Sequence, residues 1–151
     1  MLTENMPAPA FELEDQDGKT VKLSDLAGKN IVLYFYPKDD TPGCTVEACG
    51  FRDNYAAFKA NNIEIYGVSP DAPKSHTKFI EKFSLPFPLL ADTEHVVAEK
   101  YGVWGLKKFM GKEYMGVLRT TFVIGPDGIL KKIFNNVKPE NHFQEILDLF
   151  Q

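Results

Sequence analysis

The chain has 151 residues, of which 44% are hydrophobic and 25% are charged, and its formal net charge is −4. This composition is typical of a folded globular protein, and the chain is long enough to bury a core as a single domain spanning residues 1–151. The acidic balance argues against nucleic acid as a partner, and no apolar run approaches the roughly 18 residues that a membrane span needs.

Strand and helix patterns alternate along the first part of the chain. Residues 11–23 alternate apolar and polar side chains around Asp17-Gly18, which predicts an N-terminal β-hairpin. The continuous apolar run 31–36 predicts a buried strand. From residue 44 to about residue 60, apolar side chains recur at helical spacing, which predicts one helix. These side chains are Cys44, Ala48, Phe51, Tyr55 and Phe58.

The middle of the chain continues this alternation. Residues 63–68 predict a second buried strand, and a helix is expected over 72–83 with Asp71 as its N-terminal cap. Residues 85–90 are expected to be extended, and their two prolines favour an irregular or edge position in the sheet.

The last third predicts a short helix over 93–101, a loop over 102–117, strands over 118–124 and 129–134, and a closing helix over 139–150. A Gly-Pro-Asp-Gly turn joins the two strands. Strands that alternate with helices and end in a hairpin predict an α/β fold in three layers, with a mixed central β-sheet flanked by helices.

Both cysteines fall in residues 37–49, between a predicted strand and a predicted helix. Cys44 is expected in the first turn of that helix, where unpaired N–H groups and the helix dipole favour a thiolate. The first residues of the chain lack the regions of a signal peptide, so we expect a cytoplasmic protein. In that reducing compartment a cysteine pair is more often catalytic or metal-binding than structural. Cys44 is therefore predicted to be a redox nucleophile.

Other roles for the two cysteines are less favoured. The spacing Cys-x4-Cys differs from the Cys-x2-Cys of disulfide reductases and from half a zinc site, so no metal is expected. A second zinc-ligand pair would have to come from histidines on different elements, namely His76, His95 and His142. Both cysteines could instead be small buried hydrophobic residues. This role would suit Cys44, which lies on the apolar stripe of the helix, but not Cys49, which lies about 140° away from it around the helix.

The five-residue spacing also constrains disulfide formation. In an intact helix, Cα atoms five residues apart are separated by roughly 8.7 Å, whereas a disulfide needs about 4.4–6.8 Å. Cys44 and Cys49 therefore cannot bond unless this part of the helix unwinds. Such a conditional bond suits a catalytic cycle better than a permanent crosslink.

These residues resemble a known family. The pattern Pro37-x3-Thr41-x2-Cys44, within Thr-Pro-Gly-Cys-Thr, is similar to the active-site motif of the peroxiredoxins. A second cysteine five residues later resembles the Q-type subgroup, also called bacterioferritin comigratory protein. The similarity extends over nearly the whole chain, including residues 87–92, 101–105, 111–116 and 119–128.

The resemblance implies a peroxidase with a thioredoxin-like fold and no cofactor. In that family the cysteine matching Cys44 attacks hydrogen peroxide or an organic hydroperoxide and becomes a sulfenic acid. The cysteine matching Cys49 then condenses with it, and thioredoxin or a similar dithiol reduces the resulting disulfide. The subgroup also implies a monomer. A disulfide reductase and a thiol-based redox sensor remain as alternative functions.

The resemblance also implies roles for other residues. Thr41 would hydrogen-bond the peroxide or the sulfur, Pro37 would cover the sulfur, and Arg119 would stabilise the thiolate and the peroxide oxygens. Glu47 is expected in the first helical turn, and whether it serves the helix dipole or the chemistry stays open. His76 is predicted to be a histidine at the edge of the core, and Lys107 to be a solvated charge.

Overall fold

A computed structural model describes residues 2–150 of the chain. These residues form nine β-strands: β1 (Glu12–Glu14), β2 (Thr20–Lys22), β3 (Asn30–Phe35), β4 (Ile63–Ser69), β5 (Leu89–Ala91), β6 (Trp104–Phe109), β7 (Lys112–Val117), β8 (Thr120–Ile124) and β9 (Leu130–Phe134). The same residues form five α-helices: α1 (Pro42–Asp53), α2 (Tyr55–Ala60), α3 (Pro73–Phe83), α4 (Val96–Lys100) and α5 (His142–Leu147). Within residues 2–150, no helix is long and apolar enough to span a membrane.

Seven of these strands form one mixed sheet in the order β2-β1-β5-β4-β3-β8-β9. Strands β3, β4 and β5 run parallel to one another, whereas β8 pairs antiparallel with both β3 and β9. Strands β1 and β2 form the predicted N-terminal hairpin at one edge. The prediction of an α/β fold with a mixed central sheet is therefore confirmed.

Strand β3 divides the core into two clusters. Val32 and Tyr34 enter the cluster that α1, α2, α3 and α5 complete, whereas Ile31 and Leu33 enter the cluster beneath α4. Successive side chains of a strand point to opposite faces, so a continuous apolar run such as 31–36 needs cover on both sides. This requirement produces the three layers.

The predicted helix over residues 44–60 is two helices. It begins earlier, at Pro42, and is interrupted at Asn54, where φ is −115° and ψ is 14°. The side-chain amide of Asn54 donates to the carbonyl of Gly50 at 2.9 Å. Asparagine side chains compete in this way with regular helical hydrogen bonding. The helical spacing of apolar residues continues across Asn54, so that spacing alone does not show the interruption.

The prediction of a loop over residues 102–117 was wrong, because β6 and β7 form a two-stranded antiparallel hairpin there. Its turn residues Met110 and Gly111 have φ of 51° and 79°. Two adjacent positive φ values are what a tight hairpin turn requires. The hairpin stands outside the main sheet and is largely exposed, so it lacks the alternation of a half-buried strand.

Two details around α3 also differ from expectation. Ala72, not Asp71, is the N-cap residue of α3. The carboxylate of Asp71 instead accepts hydrogen bonds from the Ser69 hydroxyl at 2.7 Å and from the Asp39 backbone N–H at 2.8 Å. Of the two positions expected for residues 85–90, the irregular one is confirmed for residues 85–88, which contain both prolines and precede β5. The edge position was wrong, because β5 lies inside the sheet between β1 and β4.

The elements of the last third begin later than predicted. Helix α4 begins at Val96 and α5 at His142, and α5 gives way to a 3-10 turn over Asp148–Phe150. Strand β8 begins at Thr120, so Arg119 precedes it. This places Arg119 in a connection rather than on a face of the sheet.

Close packing in the sheet generates one stability prediction. A Cβ added to Gly67 of β4 would lie 2.7 Å from Leu89 Cδ2 and 2.9 Å from the Tyr34 hydroxyl oxygen. Gly67→Ala should therefore lower the free energy of unfolding by about 1–3 kcal/mol, measured by urea denaturation.

Gly116→Ala is the matched control, because its Cβ would first meet the flexible Lys107 side chain, at 3.0 Å. Its effect should stay within about 0.5 kcal/mol. Equal losses of stability in the two variants would contradict the packing argument.

Candidate active site

The connection from β3 to α1 carries three of the predicted site residues. Pro37 is partly buried just after β3, and Thr41 is the N-cap residue of α1 in an extended conformation. Cys44 is the third residue of α1 and is only 1% exposed. The Thr41 hydroxyl makes no capping hydrogen bond to the helix, and it donates to the carbonyl of Lys38 at 2.9 Å.

Arg119 reaches this connection through strand pairing. Strand β8 lies antiparallel to β3, with Thr120 opposite Phe35, so the residue before β8 lies beside the end of β3. The guanidinium Nη2 donates to Cys44 Sγ at 3.2 Å, across 75 positions of sequence. The contact places the positive charge of the guanidinium directly beside the sulfur.

The approach of Arg119 depends on Gly43. A Cβ at residue 43 would lie 2.7 Å from Arg119 Nη2, which is closer than real contacts allow. Any larger residue would push the guanidinium away from the sulfur. Gly43 was not among the predicted site residues, although the Pro-Gly pair before Cys44 was the available signal.

Glu47 is the second partner of Arg119. Its Oε1 accepts from Arg119 Nη1 at 3.3 Å, and the residue is 2% exposed. Burial raises the pKa of Glu47 from 4.5 to about 8, and the guanidinium offsets this only in part. At neutral pH the carboxyl is therefore largely protonated, so it orients Arg119 without cancelling the charge that faces Cys44.

Glu47 lies in the second turn of α1 rather than the first, because the helix begins at Pro42. Its other oxygen, Oε2, is buried without a hydrogen-bond partner among the described residues, and so is the hydroxyl of Tyr34. Burial raises the pKa of Tyr34 well above its ordinary value, with the charge of Glu47 as the next cause. The core beside Cys44 therefore contains two polar groups, the Glu47 carboxyl and the Tyr34 hydroxyl, that are shielded from water.

Lys107 is not the solvated charge that was predicted. Its ammonium donates to the carbonyl of Val117 at 3.0 Å, two residues before Arg119. Burial lowers the pKa of Lys107, the positive charge of Arg119 lowers it further, and Cys44 acts in the opposite direction. Lys107 is thus a partly buried cation that interacts with the charge of Arg119. It was missed because its position depends on the unrecognised β6–β7 hairpin.

Cys49 lies on the same helix and is partly buried, and both thiols are free. Helix α1 is continuous over both residues, so their Cα atoms are separated by roughly the 8.7 Å of ideal geometry. The helix is also packed closely against α5, since a Cβ on Gly50 would lie 2.8 Å from Phe143 Cδ1. A Cys44–Cys49 disulfide would require α1 to unwind and this packing to loosen.

His76 does not lie where the sequence predicted. His76 is fully buried rather than at the edge of the core, and its ring contacts Asp39 and the carbonyl of Leu90. Within residues 2–150, no group of three or more potential ligands is arranged to hold a metal ion.

Comparison with known proteins assigns the family. Residues 5–133 match the model of the AhpC/TSA family. The chain is 56% identical over 140 residues to Peroxiredoxin Bcp of Bacillus subtilis, which covers 93% of this chain and 89% of the relative. The chain belongs to the peroxiredoxins. The sequence-based identification of a Q-type peroxiredoxin is confirmed, and the protein is a thiol peroxidase.

Solved structures agree with this assignment. The peroxiredoxin is similar to Xanthomonas campestris peroxiredoxin Q, with a TM-score of 0.88, 34% identity, and coverage of 93% of this chain and 89% of the other. It is also similar to Peroxidoxin BcpB of Mycobacterium tuberculosis, with a TM-score of 0.88, 35% identity, and coverage of 99% and 97%. The predicted thioredoxin-like fold is therefore confirmed.

The raised pKa of Glu47 predicts a pH-dependent stability. The folded carboxyl keeps its proton up to about pH 8, whereas an ordinary carboxyl releases it near pH 4.5. The folded state therefore binds more protons in this window, so the contribution of Glu47 to stability falls as pH rises through it. Glu47→Gln removes this titration and should gain on the order of 3 kcal/mol relative to wild type between pH 5 and pH 8.

The measurement is urea unfolding at several pH values. Glu81→Gln, at an exposed position of α3, serves as the control and should leave the pH dependence unchanged. A constant difference between wild type and Glu47→Gln across the pH range would contradict the raised pKa.

Proposed function

We propose that Cys44 is the peroxidatic cysteine of this peroxiredoxin and that Arg119 activates it. The proposal rests on one observation, the 3.2 Å contact between Arg119 Nη2 and Cys44 Sγ. The thiolate attacks one peroxide oxygen, the O–O bond breaks, and Cys44 becomes a sulfenic acid. The other oxygen leaves with a proton as water or as an alcohol.

Thr41 is proposed to orient the peroxide. Its hydroxyl proton is engaged by the Lys38 carbonyl, so the oxygen lone pairs remain able to accept a hydrogen bond. A peroxide O–H would donate to Thr41, while the guanidinium of Arg119 would donate to the peroxide oxygens. Pro37, in the same connection, is proposed to cover the sulfur and limit access of water.

Cys49 is proposed to be the resolving cysteine. Its thiol attacks the sulfenic acid sulfur, so an S–S bond forms, the S–O bond breaks, and water leaves. Helix α1 unwinds for this step, which also exposes the disulfide. A thioredoxin-type dithiol then reduces it by thiol–disulfide exchange, and the helix reforms. Both thiols lie on one helix of one chain, so we propose a monomer that works as one domain over residues 1–151.

The proposed substrates are hydrogen peroxide and organic hydroperoxides. A relative with a solved structure, the bacterioferritin comigratory protein of Xanthomonas campestris, is described in connection with alkyl peroxide reduction activity. Cys44 is 1% exposed, so a substrate must be slender at its reacting end. A hydroperoxide group meets this requirement, because it carries only two oxygens at its tip.

Substitution of each cysteine separates the two roles. Cys44→Ser should abolish peroxide consumption in the presence of thioredoxin, thioredoxin reductase and NADPH. Cys49→Ser should consume about one equivalent of peroxide and then stall as a sulfenic acid, detected as a dimedone adduct by mass spectrometry. Turnover by Cys44→Ser at the wild-type rate would contradict the assignment.

Oxidation should unwind α1. Wild-type protein treated with one equivalent of peroxide should lose about two daltons without forming a covalent dimer, as an internal disulfide requires. Amide exchange over residues 43–52 should then rise, measured by mass spectrometry, because the hydrogen bonds of this segment are lost. Peptides from α3 provide the internal control and should keep their protection. A covalent dimer, or equal exchange before and after oxidation, would argue against intramolecular resolution.

A further inference from the structure

A buried polar cluster lies beside the connection that carries Thr41. Its centre is the Asp39 side chain, which is 4% exposed. Asp39 Oδ1 accepts from the Tyr36 hydroxyl at 2.6 Å, and Oδ2 accepts from the Ser75 hydroxyl at 2.8 Å. His76 Nδ1 lies 2.7 Å from the same Oδ2. Tyr36 directly follows β3, Asp39 lies in the connection to α1, and Ser75 and His76 belong to α3, so the cluster joins three parts of the fold.

Counting donors assigns the protons in this cluster. His76 Nε2 lies 2.9 Å from the carbonyl oxygen of Leu90, which can only accept, so Nε2 carries a proton. Burial raises the pKa of Tyr36 well above its ordinary value, so its hydroxyl remains a donor. One further proton lies between His76 Nδ1 and Asp39 Oδ2. The pair is electrically neutral whichever atom holds that proton, which makes its complete burial tolerable.

The cluster restrains the backbone as well as the side chains. The Asp39 backbone N–H donates to the Asp71 carboxylate at 2.8 Å, so Asp39 is held at both its main chain and its side chain. The next residue, Asp40, has φ of 55°, in the left-handed region that non-glycine residues rarely adopt. Thr41 follows at once. A strained residue keeps its conformation only where its surroundings impose it. Helix α1 holds Thr41 on one side of Asp40, through the bond from the Thr45 N–H to the Thr41 carbonyl, and the cluster holds Asp39 on the other side.

We propose that Asp39 and His76 act as a positioning pair that holds the Thr41 hydroxyl in place for peroxide. The inference rests on the proposed function, in which Cys44 is peroxidatic and Thr41 orients the substrate. His76 acts through Asp39 and the intervening backbone, and it does not touch the reacting atoms. The Arg119–Cys44 contact is made by other elements, namely α1 and the connection before β8. Loss of the pair should therefore slow the reaction with peroxide while leaving the thiolate itself largely intact.

Two substitutions of His76 test this directly, because each keeps a different half of the imidazole. The amide nitrogen of His76→Asn can take the place of Nδ1 and donate to Asp39, while the bond to the Leu90 carbonyl is lost. The amide nitrogen of His76→Gln can take the place of Nε2 and keep that bond, while the bond to Asp39 is lost. Both variants lose one buried hydrogen bond, and the loss of stability should be larger in His76→Gln, because the bond that it loses is made to a carboxylate. The rates are therefore compared on variants shown to be folded.

The first readout is the second-order rate constant for oxidation of Cys44 by hydrogen peroxide, measured by stopped flow in single turnover. His76→Gln should lower it by about tenfold or more, since a displacement of about 1 Å in a positioned group costs up to about a hundredfold. His76→Asn should stay within about threefold of wild type. The second readout is alkylation of Cys44 by iodoacetamide, which needs the thiolate but no Thr41. Both variants should retain it.

A milder pair guards against misfolding of the His76 variants. Ser75→Ala removes one donor to Asp39, whereas Thr77→Val removes a hydroxyl of the same helix that bonds the carbonyls of Gln16 and Pro73 instead. The peroxide rate should fall by about threefold in Ser75→Ala and stay at the wild-type value in Thr77→Val.

The outcomes are distinct. Equal peroxide rates in folded His76→Asn and His76→Gln would overturn the proposal, as would parallel losses of alkylation and peroxide rates. Equal rates in Ser75→Ala and Thr77→Val would overturn it if the His76 variants do not fold. Cys44→Ser that still consumes peroxide would instead overturn the proposed function, so the two failures can be told apart.

Discussion

The contact between Arg119 and Cys44 is the interaction on which the rest of the site depends. The guanidinium lies 3.2 Å from the sulfur because β8 pairs with β3, which brings the start of β8 beside the end of β3. Gly43 leaves room for it, and buried Glu47 orients it. The protonated carboxyl leaves the charge of Arg119 directed toward Cys44. The pairing of strands in the central sheet therefore determines which charged group lies beside Cys44 at the start of α1.

In the proposed catalytic cycle, helix α1 has to satisfy two opposed requirements. When it is formed, it places Cys44 beside Arg119 and keeps Cys49 out of bonding distance. When it unwinds, the contact of Gly50 with Phe143 is lost, but Glu47 returns to water. Burial raises the pKa of Glu47 to about 8 despite its contact with Arg119, so the return of Glu47 to water lowers the net cost of unwinding at neutral pH. The same residue thus supports the folded site and makes its opening easier.

Sequence patterns predicted those parts of the fold that are buried on a regular period. The apolar runs of β3 and β4 and the stripe of α1 were recognised because burial demands apolar side chains at those positions. The β6–β7 hairpin was taken for a loop because most of its side chains are exposed. Lys107 was therefore misjudged, since its bond to the Val117 carbonyl follows from that hairpin. Asp71 was given a local capping role, whereas it bonds to a residue 32 positions away.

The sequence by itself determined the family and its thiol chemistry. The residues that carry the family motif, Pro37, Thr41, Cys44 and Cys49, lie within one short stretch, so their spacing can be read without knowing the fold. It also implied that Cys44 and Cys49 can bond only if the helix unwinds, since helix geometry is the same in every protein. Only the tertiary structure decided which charged groups face the sulfur. Arg119 is 75 positions from Cys44, and its approach depends on strand pairing and on the space at Gly43. Long-range contacts of this kind leave no periodic signal in a single sequence.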